Sequence, residues 1–130
     1  MMTVASTGKT IETAAEDTES DHTPIDVEAI SSRTNIVLGL RMDTTTRAAM
    51  DRHLSAVAGD LNRLLREDLG AASDNEVRQL VREGTRLIDL TNRPDAETPT
   101  FGIYLYLRDV ALLTRRLLWI YAERNGLGAP

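Results

Sequence analysis

Apolar residues return every three to four positions along most of this chain, and most densely from Thr100 to Asn125, TFGIYLYLRDVALLTRRLLWIYAERN. At helical spacing Ile103, Leu107, Val110, Leu113, Leu117, Ile120 and Tyr121 fall on one broad face, which Tyr106, Leu112 and Leu118 widen beyond the usual stripe. A helix that apolar has to be covered on most sides. The pattern therefore predicts a helix at the centre of a bundle, with thinner helices laid around it. Thr98 or Thr100 is placed to cap its start, and Gly126 to end it.

Three earlier stretches supply that covering. Thr23-Pro24-Ile25-Asp26 reads as a helix start, with Thr23 as N-cap and Pro24 at the first helical position. That helix runs to about Arg41 with Val27, Ile30, Val37, Leu38 and Leu40 on its apolar side. Ser31, Ser32, Thr34 and Gly39 weaken it, so it should be the least stable of the four. The second helix, about Thr45 to Leu69 and capped by Asp43 or a following Thr, carries the cleanest seam: Met50, Leu54, Val57, Leu61 and Leu64. Gly70 suits its C′ position, and Arg47/Asp51 and Arg63/Glu67 are i,i+4 pairs on its outer side.

Ser73-Asp74-Asn75-Glu76 has the capping-box pattern and opens a third helix, buried through Val77, Leu80, Val81, Leu87 and Ile88. Gly84 lies on the same side, where a missing side chain lets another helix come close. Thr91 to Pro99 is a polar loop closed by two prolines. No segment gives a strand signal and no repeat is present. The expected fold is all-α, an antiparallel bundle of four helices over residues 23–130, after a disordered acidic tail over residues 1–22 with no apolar period. Within that tail Gly8-Lys9-Thr10 matches the end of a phosphate-binding loop. Thr3 stands where the motif has Gly and no strand precedes it, so it reads as tail.

Composition narrows the chemistry. The chain has no cysteine, which excludes disulfides, thiolate metal sites and cysteine nucleophiles. Its net charge is −5, but residues 1–30 hold seven acids and one lysine, leaving the rest near balance with 14 arginines and 13 acids. That balance argues against nucleic acid as the main partner. Lysine occurs only at Lys9, a bias toward arginine of the kind a GC-rich bacterial genome gives. No secretory leader pattern opens the chain, and charges at Arg108, Asp109, Arg115 and Arg116 interrupt the last helix. The expectation is a cytoplasmic protein with no membrane span.

The order of IDVEAISSRTNIVLGLR, MDRHLSAVAGDLNRLL, VRQLVREGTRLIDL, a Pro-containing loop and YLYLRDVALLTRRLLWIYAE resembles a family of small actinobacterial domains of unknown function, loosely labelled natural-product biosynthesis proteins. The resemblance covers about Ile25 to Glu123. Its best motifs are His53-Leu54, with Arg52 where the family has Gly, and Leu107-Arg108-Asp109, without the family's Cys. It implies a secondary-metabolism setting and carries over no catalytic residue or cofactor.

Several residues could carry chemistry. His53 has no second ligand at i,i+3 or i,i+4, so it reads as a partly exposed helical histidine and no metal is expected. Arg78, Arg82 and Arg86 form an i,i+4 stripe, either a solvated face or an anion-binding ridge. Tyr104, Tyr106 and Trp119, with Arg108 or Arg115 reaching in, could line a ligand pocket or a partner contact; the ordinary reading places helical aromatics in the core and the arginines toward solvent. No nucleophile motif or Glu-x-x-His pair occurs. The expected function is a non-enzymatic interaction or accessory protein with a protein partner or a second copy of itself. A small-molecule-binding accessory protein is the alternative, and a nucleic-acid regulator the remote third.

Overall fold

The computed structural model describes residues 24–130; the expectations placed on residues 1–22 and on Thr23 lie outside that range. Four α-helices follow one another: α1 Val27–Leu38, α2 Arg47–Leu65, α3 Asn75–Ile88 and α4 Thr100–Arg124, with a short 3-10 turn at Leu90–Asn92. No strand occurs among the described residues, so the all-α class holds. No described helix is long and apolar enough to cross a membrane.

Bonds between helix ends set the directions. Near the start of α4 the Tyr104 hydroxyl donates to the Leu40 carbonyl behind α1, and the Tyr106 hydroxyl donates to the Leu87 carbonyl near the end of α3. Arg116, late in α4, meets Glu76 at the start of α3. At the start of α2, Arg47 donates to the Thr98 carbonyl at 2.9 Å and the Asp95 carbonyl at 2.8 Å, just ahead of α4. Arg124 reaches the Asp68 carbonyl beyond the end of α2. Helices α1 and α3 thus run against α4, and α2 runs with it. The α2·α4 contact is the most extensive, and α1 and α3 flank that pair without meeting each other.

The core lies along this central pair. Met50, Val57, Leu61 and Leu64 of the α2 seam are fully buried, as are Ile103, Leu107, Val110, Leu117 and Leu118 of α4; Ile30 and Val37 close one side, Val77 and Leu87 the other. Two buried threonines cost little, because the Thr34 and Thr114 hydroxyls donate to the carbonyls of Ile30 and Val110 one turn earlier. Gly84 admits α3 to this core. A Cβ there would stand 3.0 Å from a Leu65 methyl and 3.3 Å from a Leu113 methyl.

The helix ends differ from the sequence-based expectation. Helix α1 starts after Asp26, whose carboxylate accepts from the Ala29 N–H, and ends at Gly39 rather than near Arg41. A carboxylate is a strong cap, and the Gly39 and Leu40 N–H groups fold back onto the last carbonyls in tighter turns. Thr46 caps α2, which stops at Leu65, four residues early. The Asp68 carboxylate then accepts from the Gly70 N–H, and Gly70 takes φ 89°, so the chain turns while Leu69 still enters the core. Asp74, not Ser73, caps α3 by accepting from the Glu76 and Val77 N–H groups. Neither Thr98 nor Thr100 caps α4; Pro99 precedes its first turn and the Thr98 hydroxyl instead accepts from the Asp95 N–H. At the far end the Leu127 N–H bonds the Ala122 carbonyl and the Gly126 N–H the Glu123 carbonyl, the paired closure that left-handed Gly126 permits.

One interhelix bond had no sequence signal. Arg33 of α1 forks onto Asp60 of α2, Nε to Oδ2 at 2.7 Å and the second nitrogen to Oδ1 at 2.8 Å. Asp60 is buried, so the fork compensates a desolvated carboxylate. Its hydrogen bonds hold the Arg33 guanidinium above its ordinary pKa, against the opposing effect of burial.

Candidate functional site

Helix α4 touches all three other helices, yet one side of it is left uncovered. On that side Leu105, Leu112 and Trp119 recur at seven-residue intervals and are 45%, 37% and 51% exposed. Phe101, 56% exposed, stands one turn before Leu105. Between these apolar groups lie half-exposed Arg108 and exposed Arg115. Two adjacent rows result: Leu105, Leu112 and Trp119 in one, Phe101, Arg108 and Arg115 in the other. This is a seam of the a/d type, drifting by about 20° per heptad on a straight helix. From Phe101 to Trp119 it extends about 27 Å.

The electrostatics of this face are specific. Neither Arg108 nor Arg115 makes a hydrogen bond or ion pair with any described residue. Beside the two rows runs a third, of Asp109, Arg116 and Glu123; here Arg116 is engaged at 3.4 Å by Glu76. Trp119 borders a cleft of about 350 Å³ between α3 and α4, with Glu76, Leu80, Arg116 and Ile120. A second cleft beside Trp119 holds Glu123 and the C-terminal Leu127 to Pro130.

The structure separates the residues that the pocket alternative would bring together. Tyr104 and Tyr106 are half-buried and spend their hydroxyls on backbone carbonyls at opposite flanks, Leu40 and Leu87. Burial pushes the Tyr106 phenol pKa up, with the Arg93 charge acting the other way. Trp119 and Arg115 stand turns away, facing outward. The core expectation for the aromatics fails for Trp119, Phe101 is exposed as well, and of the five only Tyr121 is buried. What Tyr106 does line is a cleft of about 390 Å³ with Asp51, Leu54, Asn62, Arg93 and Pro94.

The arginine stripe on α3 does not form a ridge, and its members are used locally or left in solvent. Arg78 donates to the carbonyls of Ala71 and Ala72 and to Asn75 Oδ1, holding the turn into α3. Arg86 reaches Glu83 at 3.3 Å, and Arg82 is exposed between them. Asp89, at the end of the same helix, is tied to Thr91, whose two hydrogen bonds hold its carboxyl below the usual range. No group of three metal-ligating side chains forms among the described residues.

The sequence alone points to Trp119, Arg108 and Arg115 as contacts, but not to Phe101, Leu105 and Leu112 beside them. Leu105, Leu112 and Trp119 share a seven-residue interval as regular as the α2 seam, but on a helix apolar all round that row is hard to tell from the buried ones. The fold and this face together define a class, a small all-α four-helix protein with one uncovered seam. No family model, curated protein or solved structure matches the chain.

Proposed function

We propose that this protein is a non-catalytic interaction module that binds another protein through the outer face of α4. The observation that carries the reading is the row of Leu105, Leu112 and Trp119, three large apolar side chains held exposed in register on a rigid helix. Leu90 on the 3-10 turn and Ile36 on α1 are also exposed, but singly, as is normal at a protein surface. A row of this length is what a helix lays its own apolar stripe against. The test is native mass spectrometry of the protein purified gently from its host. The expected spectrum shows a second protein bound to the native chain and lost from Leu112→Glu, with circular dichroism unchanged. A bare native chain, or a partner indifferent to Leu112→Glu, overturns the reading.

A small-molecule role, the one compatible with a natural-product setting, has a single observation in its favour: the Tyr106 cleft, where Asp51, Asn62 and Arg93 offer polar groups beside Leu54 and Pro94. In the same spectrum it predicts an added mass of a few hundred daltons that Arg93→Ala removes.

A further inference from the structure

Resting on that reading of α4, we infer that the occupant of its outer face is an amphipathic helix of another protein, with carboxylates facing Arg108 and Arg115. Any helix that covers Leu105, Leu112 and Trp119 also covers the adjacent row, and so strips water from two guanidinium groups that have no partner among the described residues. Desolvating a cation without a counter-charge costs more than the neighbouring apolar contacts return, so the occupant has to bring the compensating acids. Arginine suits this position. Its stem packs along the leucines while its planar head forks onto a carboxylate. The third row adds detail to the partner, because Asp109 carries no bond to a described residue and faces the flank where a basic side chain would sit.

A second copy of this chain fits less well. In a twofold antiparallel pairing centred on Leu112, Leu105 of one copy meets Trp119 of the other, and Arg108 of one is set against Arg115 of the other, twice. Like charges placed together in a closing interface oppose it. The heptad intervals do suit a helix of about 20 residues, long enough to run from Phe101 to Trp119.

Trp119 is the only tryptophan in the chain, which makes it the reporter. Three synthetic helical peptides of about 20 residues are used, with leucine at their a and d positions and glutamate, glutamine or lysine at the positions facing Arg108 and Arg115. The glutamate peptide is expected to shift Trp119 emission to the blue and to bind at least about tenfold more tightly than the lysine peptide. The variant Arg108→Glu/Arg115→Glu is expected to reverse that order. Equal binding of the three peptides, or an order the double variant does not reverse, overturns the acidic-partner inference and leaves the docking face standing. If no peptide of any charge binds, the docking face itself falls, and this inference with it. Self-association of the native chain that Leu112→Glu abolishes assigns the face to a second copy and also overturns the inference.

Discussion

The two sides of α4 both carry a row of large apolar side chains, and the rows meet opposite fates. Its inner side, through Ile103, Leu107, Val110 and Leu117, is sealed against α1, α2 and α3; its outer side carries Phe101, Leu105, Leu112 and Trp119 into solvent. The inner leucines are enclosed by the neighbouring helices, whereas the outer row is only partly covered, Trp119 at its edge beside Leu80 and the Leu127 to Pro130 segment. The lesson is that apolar character along a helix reports how much surface could be buried, and that the neighbours decide how much of it is. On this helix the surplus is the candidate site.

The contrast is broken most severely from the inside. Leu117→Ala removes a fully buried side chain between α4 and its neighbours, and is expected to cost about 2–5 kcal/mol, read as a lowered midpoint in urea unfolding. Next comes the entry of α3. Gly84→Leu forces a side chain against the Leu65 and Leu113 methyls and is expected to cost about 1–3 kcal/mol; a midpoint equal to the native one would show that α3 does not pack so closely.

A smaller effect comes from the flank. Tyr106→Phe strands the Leu87 carbonyl and is expected to cost about 1 kcal/mol near neutral pH. The phenol pKa is raised in the folded state, so its contribution is complete below the ordinary value of 10.0 and is lost as pH rises through the raised one. Unfolding midpoints measured upward from pH 9 should therefore fall more steeply for the native chain than for Tyr106→Phe. The smallest change sharpens the comparison from outside: Leu112→Ala is expected to alter stability by no more than about 0.5 kcal/mol. A loss as large as that of Leu117→Ala would mean that the outer row belongs to the core.

Much of this was readable from the residues. The α2 seam, the central place of α4 and the close approach at Gly84 all follow from the spacing of side chains along one helix, because a helix imposes its period on whatever it carries. The ends were less legible. Asp74 took over capping from Ser73, and α2 gave up its last turn to the Asp68-Gly70 bend, since several adjacent groups could satisfy the same backbone atoms and only local geometry chooses among them. The exposure of the apolar row lay furthest out of reach. Nothing in the intervals of Leu105, Leu112 and Trp119 distinguishes a buried row from an exposed one.

The amino-acid order alone determined that the described chain would be helical, that α4 would sit at the centre and that Leu61 or Val110 would be buried, because local periodicity and hydrophobic burial act within each segment. Only the tertiary structure decided that Arg33 would fork onto Asp60, that Arg78 would be spent on the α3 turn, and that a bare apolar row would stand beside the outward Arg108 and Arg115. Those outcomes depend on where other helices stand, and a segment's own sequence carries no record of which of its faces its neighbours leave open.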